Sequence, residues 1–335
     1  MASLKVVRVD REGASSNLDL EASELTKVGA QLVGANAVTE DEIINAAKDA
    51  DGIVTGAALI TAKVMKALPK LKVVVRYGVG YDTIDIDAAT EEGVVVAYIP
   101  DYCYEEVSNH AIALLLACSR KIVLQNNLLK AGKWREAQQA RPPMGSIYGE
   151  TVGIVGTGNI GRLTGRKAQA FGLKAIGYDP YVDKSLVHPY GITFVDFPTL
   201  LLESDYISLH VPLNRETHHM IGEKELAAMK PNAYLINTAR GALVDEIALI
   251  RALREKRIAG AGIDVFEKEP VDPDNPLLKM DNVICLPHSA FFSELSVIRQ
   301  RKRVGEEAAR VLSGRWPKNV ANKGVKPKVP LVPGV

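Results

Sequence analysis

The sequence predicts an α/β fold built from two parallel sheets, each covered by helices on both faces. Three observations carry this prediction. Apolar strand-like stretches alternate with helical stretches along the chain. They fall into two series separated by a polar, proline-containing connection. The strands are apolar on both faces, as in sheets covered on both sides. A length of 335 residues suits two domains of ordinary size.

The first series contains "LKVVRVD" (4–10), "GIVT" (52–55), "KVVVRYG" (72–78) and "GVVVAYI" (93–99) as strands. A helix is expected over 39–50, where Thr39 and Glu42 have the spacing of a capping box. A long helical region over 105–131 leads into the connection "EAQQARPPMGSIYG" (136–149). The second series follows with "TVGIVGTG" (151–158), "LKAIGYDP" (173–180), "YISLHVPL" (206–213), "AYLINTARG" (233–241), "IAGAGIDVF" (258–266) and "NVICLPH" (282–288). A last helix over 293–313 precedes a Pro- and Lys-rich tail (317–335), expected to be an extended or disordered arm.

Composition narrows the function. The formal net charge is +1, so no basic field points to nucleic acid and no acidic excess to a cationic partner. The longest plain apolar run, "AIALLLAC" (111–118), is too short to span a bilayer, and the N-terminus shows no secretory apolar region. Cys103, Cys118 and Cys285 are scattered without metal spacing, and an odd count suits a reducing cytoplasm. They are expected to be inert structural residues, and no metal is expected.

Gly156-Thr157-Gly158-Asn159-Ile160-Gly161 directly follows an apolar strand and opens a helix. In that setting the first glycine permits the tight turn. The second lets the backbone approach a pyrophosphate, and the third lets helix and strand pack closely. The helix N-terminus offers N–H groups and a partial positive charge to the phosphates. Asp179 ends the next strand, where a carboxylate accepts bonds from an adenosine ribose and repels a 2′-phosphate. NAD is therefore expected over NADP, with Lys184 downstream as a softening influence.

Arg240, Glu269 and His288 each stand at or just beyond the end of a different predicted strand. In a parallel sheet those ends share one carboxyl edge, the edge that receives the dinucleotide. An arginine, a carboxylate and a histidine thus converge where a nicotinamide would lie. Taken singly they read as a helix-entry arginine, a solvated glutamate and a capping histidine; their joint placement favours catalysis.

The combination of "GIVGTGNIGR" (153–162), "NTARGALVDE" (237–246), "GIDVFEKEP" (262–270) and "LPHSA" (286–290) resembles the D-isomer-specific 2-hydroxyacid dehydrogenases. The resemblance extends from "VVRYGVGYDTIDIDAA" (74–89) through "PLLKMDNVICLPHSAFFSE" (276–294). Within that family, "YDPYV" (178–182), "GETVGIVG" (149–156) and "PHSAFFSE" look closest to the C-terminal-binding protein branch. Phe291 departs from it, since that branch commonly has tryptophan there.

The resemblance implies a Rossmann NAD-binding domain, residues 100–289, inserted into a flavodoxin-like substrate domain formed by 1–99 and 290–335. It implies an NAD-dependent interconversion of a 2-oxo acid and a D-2-hydroxy acid, in a cytoplasmic homodimer with contacts from the helix after residue 105. His288 would be the acid/base, with Glu269 fixing its orientation and favouring its charged form. Arg240 would hold the substrate. Gly78-Val79-Gly80 would cradle the substrate carboxylate, with Arg76 and Phe291 nearby. Thr238, Ala239 and Asp264 would meet the nicotinamide end of the cofactor, and His210, Pro212 and Thr217 would line its groove. Tyr77, Tyr81, Phe291 and Phe292 suggest an aromatic wall favouring an apolar substituent. The alternative is an NADH-sensing scaffold or corepressor that keeps the dehydrogenase fold. The substrate itself is not legible.

Overall fold

The computed structural model describes residues 4–15 and 17–333. The chain divides into two compact units, one formed by residues up to Tyr102 together with those from Ser293 onward, the other by Cys103–Phe292. The division falls after residues 102 and 292, so Phe291 and Phe292 lie in the second unit.

The first unit is built on strands β1 (Leu4–Asp10), β2 (Ala30–Asn36), β3 (Gly52–Thr55), β4 (Val73–Arg76) and β5 (Val95–Tyr98). All pair in parallel, in the order β2-β1-β3-β4-β5. The intervening helices are α1 (Asp19–Thr26), α2 (Glu40–Ala46), α3 (Ala62–Ala67) and α4 (Ile86–Glu91). Side-chain caps start three of them. Thr39 and Glu42 form the expected capping box at α2, while Thr61 and Asp85 cap α3 and α4.

A long helix, Glu294–Leu312, begins at a Ser293 cap and packs so closely on α1 that a Cβ on Gly305 would lie 2.6 Å from the Glu21 carbonyl oxygen. Glu21, fully buried on α1, accepts bonds from Arg301 Nε (2.9 Å), Arg301 Nη2 (2.8 Å) and the Tyr77 hydroxyl (2.8 Å). Burial, reinforced by the Glu21 charge, pushes the Tyr77 hydroxyl well above the ordinary tyrosine range. Tyr77 is thus a polar anchor of this unit's interior and not part of an aromatic wall. Tyr81 stacks at a tilt on Tyr98, 5.1 Å between ring centroids.

Over its described residues, 317–333, the tail is an extended arm, fastened and not disordered; residues 334 and 335 lie outside the described residues. Asn322 accepts from the Val96 N–H (2.9 Å) and donates to the Val94 carbonyl (2.8 Å), and isolated bridges join Val320 to Ala97 and Val332 to Arg315.

The second unit opens with α5 (Tyr104–Ser119), α6 (Ile122–Lys130) and α7 (Trp134–Gln139). The single helix expected over 105–131 is broken: Lys121 sits at φ 48°, and α5 and α6 meet at 63°. A left-handed residue ends a helix, and Lys121 Nζ is drawn to the carbonyls of Ala140 (3.0 Å) and Pro142 (3.2 Å). Among the described residues, no single helix is long and apolar enough to cross a membrane.

Seven parallel strands follow: β6 (Thr151–Val155), β7 (Lys174–Tyr178), β8 (Thr193–Phe194), β9 (Tyr206–Leu209), β10 (Tyr234–Asn237), β11 (Gly260–Ile263) and β12 (Val283–Cys285). Their order is β12-β11-β10-β9-β6-β7-β8, so the sheet reverses direction of growth between β6 and β9. Such a reversal opens a crevice at the carboxyl edge. α8 (Asn159–Ala170) packs on β6 through its buried face of Gly161, Thr164, Gly165 and Ala168. Cys103 and Cys118 are buried and Cys285 half-buried; burial pushes the Cys118 thiol up to about 12 and the Cys285 thiol to about 11, which leaves both unreactive.

Candidate active site

Strand register brings the site together. Val155, Leu209, Asn237, Ile263 and Cys285 pair with one another in sequence across β6, β9, β10, β11 and β12, and Tyr178 of β7 pairs with Val155. The residues immediately after this row are therefore neighbours at the carboxyl edge: Gly156, Asp179, His210, Thr238 and Asp264.

The Gly-rich turn sits at the reversal point. Gly156 has φ +90°, and a Cβ there would lie 2.7 Å from Val211 Cγ1 and 2.8 Å from the His210 carbonyl carbon. A Cβ on Gly161 would lie 2.0 Å from the Gly156 carbonyl oxygen, so only glycine permits α8 to approach β6. Gly158 differs, because a Cβ there would meet nothing within 4 Å. What it leaves open is space in front of the α8 N-terminus, which no side chain caps. Thr157, fully buried, anchors the turn. Asn159 Nδ2 donates to the Tyr104 hydroxyl (2.7 Å), and Ile160 fills the first helical turn.

Asp179 is held from both oxygens. One accepts the Thr157 N–H (2.9 Å), the other the N–H groups of Tyr181 (3.0 Å) and Val182 (3.1 Å). The carboxylate is thus pinned against the Gly-rich turn. Lys184 Nζ lies over the Phe194 ring, 5.4 Å from its centroid.

On the other side, His210 Nε2 is 2.9 Å from the Ser208 hydroxyl, and desolvation pushes the half-buried imidazole down to about 3, leaving it neutral. The Thr217 hydroxyl donates to the Pro212 carbonyl (2.6 Å) and accepts the Asn214 N–H (2.9 Å). That residue shapes the 212–217 loop through its hydroxyl. Thr238 is buried, and its Oγ1 has no hydrogen-bond partner among the described residues.

Asn237, which sequence reasoning did not single out, clamps the turn that carries Arg240. Its Nδ2 donates to the Arg240 carbonyl (2.8 Å), and its Oδ1 accepts the Ala239 N–H (3.0 Å). Arg240 Nη1 in turn donates to the Ala239 carbonyl (2.7 Å).

The His288 turn rests on Asp264, which is completely buried. The Asp264 carbonyl accepts the His288 N–H (2.7 Å); its carboxylate accepts the N–H groups of Ser289 (2.9 Å) and Ala290 (2.8 Å). His288 is thereby held at φ +53°, a conformation rare for an L residue. Burial alone would raise the Asp264 carboxyl, but the His110 imidazole and the Ser289 and Ala290 amides hold it below its ordinary value. His110 Nε2 is 3.5 Å from Asp264 Oδ1, an ion-pair distance and too long for a good hydrogen bond.

Glu269 Oε2 lies 2.7 Å from His288 Nδ1, and Glu269 Oε1 accepts the Phe266 N–H (3.0 Å). Burial would raise the Glu269 carboxyl; His288, the Phe266 amide and the Arg240 charge together hold it below the usual value. Arg240, Glu269 and His288 therefore form one electrostatic group. Phe291 meets the His288 ring edge-on, 6.2 Å between centroids, while Phe292 is largely exposed.

In the first unit, Arg76 ends β4 and its Nη1 donates to the Tyr77 carbonyl. Gly78 follows at φ +130°. The N–H groups of Val79 and Gly80 make no hydrogen bond to another described residue. Adjacent backbone amides without a partner among the described residues are available to an anion.

The open space before Gly158, the uncapped helix N-terminus and the orphaned Thr238 hydroxyl fit a dinucleotide along this edge. With the Arg240, Glu269 and His288 group beside it, they define a nucleotide-dependent dehydrogenase. More narrowly, the chain belongs to the D-isomer specific 2-hydroxyacid dehydrogenase family, whose NAD binding domain matches residues 112–290.

A glyoxylate reductase of Korarchaeum cryptofilum is 43% identical over 288 residues, 84% of this chain and 86% of that protein. A D-3-phosphoglycerate dehydrogenase of Methanocaldococcus jannaschii is 41% identical over 300 residues, 89% of this chain but 56% of that longer protein. The structure of D-lactate dehydrogenase from Aquifex aeolicus, complexed with NAD and lactic acid, matches with a TM-score of 0.81 at 30% identity, covering 95% of this chain and 99% of that one. The protein is thus an NAD-dependent oxidoreductase that interconverts 2-oxo and 2-hydroxy acids.

Proposed function

We propose that His288 is the acid/base of this reaction, that Glu269 orients it and favours its charged form, and that Arg240 holds the substrate. The observation that carries this reading is the 2.7 Å contact between His288 Nδ1 and Glu269 Oε2, with the Arg240 charge acting on the same carboxylate. Because Nδ1 is engaged by Glu269, Nε2 is the atom that gives a proton to the substrate oxygen in reduction and takes it back in oxidation. Arg240 stabilises the negative charge that develops on that oxygen. NAD, when bound, supplies or accepts the hydride at its nicotinamide ring. The Gly-rich turn and the α8 N-terminus hold its pyrophosphate, Asp179 its adenosine ribose, and Thr238 and Ala239 its nicotinamide end; Asp264, expected there from sequence, is instead completely buried and engaged with the His288 turn. His210, Pro212 and Thr217 line the groove between. Arg76, Gly78, Val79 and Gly80 are assigned to the substrate carboxylate. Their support is the family resemblance and the free Val79 and Gly80 amides.

The substrate we favour is a small unphosphorylated 2-oxo acid of the glyoxylate or pyruvate type. The relatives named above act, by their names, on glyoxylate, phosphoglycerate and lactate, so the test must separate these. NADH oxidation is measured with 2-oxo acids graded by size and charge, including a phosphorylated member. Highest kcat/KM on a small unphosphorylated acid is expected; preference for the phosphorylated one overturns the choice. NADH binding with no turnover of any 2-oxo acid would overturn the assignment of these residues; the sequence-based alternative of a C-terminal-binding protein-like scaffold finds no support among the relatives, which are named as reductases and dehydrogenases. We further propose a cytoplasmic homodimer, for which exposed Ile122, Leu129 and Trp134 on α6 and α7 offer an apolar surface.

A further inference from the structure

Outside the catalytic group, the second unit gathers His218, His219 and Glu267, whose ligating atoms lie within 4.8 Å of one another. Neighbouring residues in extended chain point to opposite sides. Here the backbone turns at His219, φ +53°, and brings the two imidazoles face to face, 3.9 Å between centroids and 28° apart. His219 Nε2 is 2.6 Å from Glu267 Oε1.

The backbone behind these side chains is fixed. The His219 N–H donates to the Ala242 carbonyl (2.8 Å) and the Ile221 N–H to that of Leu243 (3.1 Å). The Glu267 N–H donates to Glu246 Oε2 (3.3 Å), and Glu246 Oε1 accepts from Asn275 (2.7 Å). Gly241 packs so tightly on the Phe266 backbone that a Cβ there would lie 1.9 Å from the carbonyl carbon. The three donors are thus presented by segments laced to one another.

We propose that His218, His219 and Glu267 bind a divalent transition-metal cation of the zinc class. Two imidazoles and one carboxylate suit such an ion. Magnesium and calcium prefer all-oxygen sets. Metal–ligand bonds of ~2.0–2.2 Å around a tetrahedral ion place its ligands roughly 3.4 Å apart. The present spacing, within 4.8 Å overall and 2.6 Å between His219 Nε2 and Glu267 Oε1, departs from that separation, so binding would require the side chains to rotate, with water as fourth ligand. The cation would replace the direct contact between His219 and Glu267 and fasten the segment that carries Glu269 two residues later.

The test titrates the chelator-treated full chain with zinc chloride by calorimetry. One site per chain in the micromolar range is expected. His218→Ala and Glu267→Gln should each weaken it at least about tenfold, since losing a direct ligand costs no less than losing a ligand's support. His188→Ala and His288→Ala should leave it unchanged. The His218 ring makes no hydrogen bond to another described residue, so that variant tests the site even if Glu267→Gln folds poorly. Zinc binding that survives in His218→Ala, that vanishes in His288→Ala, or that is absent from the parent protein overturns the proposal.

Discussion

The backbone N–H of His288 donates to the carbonyl of Asp264 at 2.7 Å, and the carboxylate of the same aspartate takes up the N–H groups of the next two residues. One buried side chain therefore fixes a positive-φ turn at His288, the acid/base proposed above. The end of β11 supplies the template on which the end of β12 is bent.

Asp264→Asn tests that dependence. An amide has one acceptor oxygen where the carboxylate has two, so either the Ser289 or the Ala290 N–H loses its partner. A buried unsatisfied donor costs about 1–3 kcal/mol. Stability should fall by that order, and kcat by at least about tenfold, because a misplaced acid/base loses part of its ~10²–10⁴ contribution. Unchanged kcat in a variant of reduced stability would show that Asp264 holds the fold and does not position His288.

Glu269→Gln should move the pH profiles. The contacts that hold the Glu269 carboxyl below the usual 4.5 include the hydrogen bond and charge of His288, so the two groups are electrostatically coupled. Reduction consumes a proton, so its kcat/KM falls as pH rises, while oxidation climbs. Removing the charge should shift both limbs to lower pH. His288→Ala should abolish them, with NADH binding nearly intact. Since the Glu269 value is depressed by folding, its stabilising contribution is present above about pH 4.5 and is lost as pH falls through the lowered value. The stability gap between parent and Glu269→Gln should accordingly close in acid. Superimposable reduction profiles for the two proteins would break the assigned pairing.

What could be read in the sequence was whatever local pattern enforces. The strand ends, the Gly-rich turn and the placement of Arg240, Glu269 and His288 follow from strand–turn spacing, because parallel register brings all such ends to one edge. β2 escaped because "AQLVGAN" interrupts its apolar run with Gly34 and Gln31. α1 escaped because its buried face includes Glu21 and Glu24 and shows no apolar stripe. The break between α5 and α6 falls at Lys121, where neither Gly nor Pro announces it. Asn237, His110 and the amide donors to Asp264 act through contacts made only once distant strands pair. No local signal marks them.

The Glu21 cluster yields a stability prediction for the first unit. Glu21 is fully buried and takes two bonds from Arg301 and one from Tyr77. Removing one partner of a buried pair leaves the other uncompensated and typically costs ~3–5 kcal/mol. Arg301 keeps some solvent contact, so about 3 kcal/mol is expected for Glu21→Gln, seen as a melting temperature several degrees lower. Tyr77→Phe, which removes one hydrogen bond to a charged group, should cost ~1.5–3 kcal/mol. Equal melting curves for parent and Glu21→Gln would rule out this assignment.

Asp179 makes the cofactor preference testable in a way that separates charge from architecture. Its oxygens already accept three backbone N–H groups, so Asp179→Ala would loosen the Gly-rich turn as well as remove the ribose contact. Asp179→Asn is the cleaner probe, because it removes the charge and keeps one acceptor. Charge-assisted hydrogen bonds contribute about 1.5–3 kcal/mol, which corresponds to roughly a tenfold to hundredfold loss of NADH efficiency when they are weakened. Efficiency with NADPH should rise in the same variant, since the repulsion of its 2′-phosphate is lifted. Lys184, whose Nζ lies over Phe194, is the nearby cation that the sequence reading expects to soften the NAD preference. Lys184→Ala in the Asp179→Asn background should therefore reverse part of the gain. The measurement is kcat/KM for both cofactors in parent, single and double variants. A parent protein that uses NADH and NADPH equally, or an Asp179→Asn variant whose cofactor ratio does not move, would show that discrimination lies elsewhere along the groove.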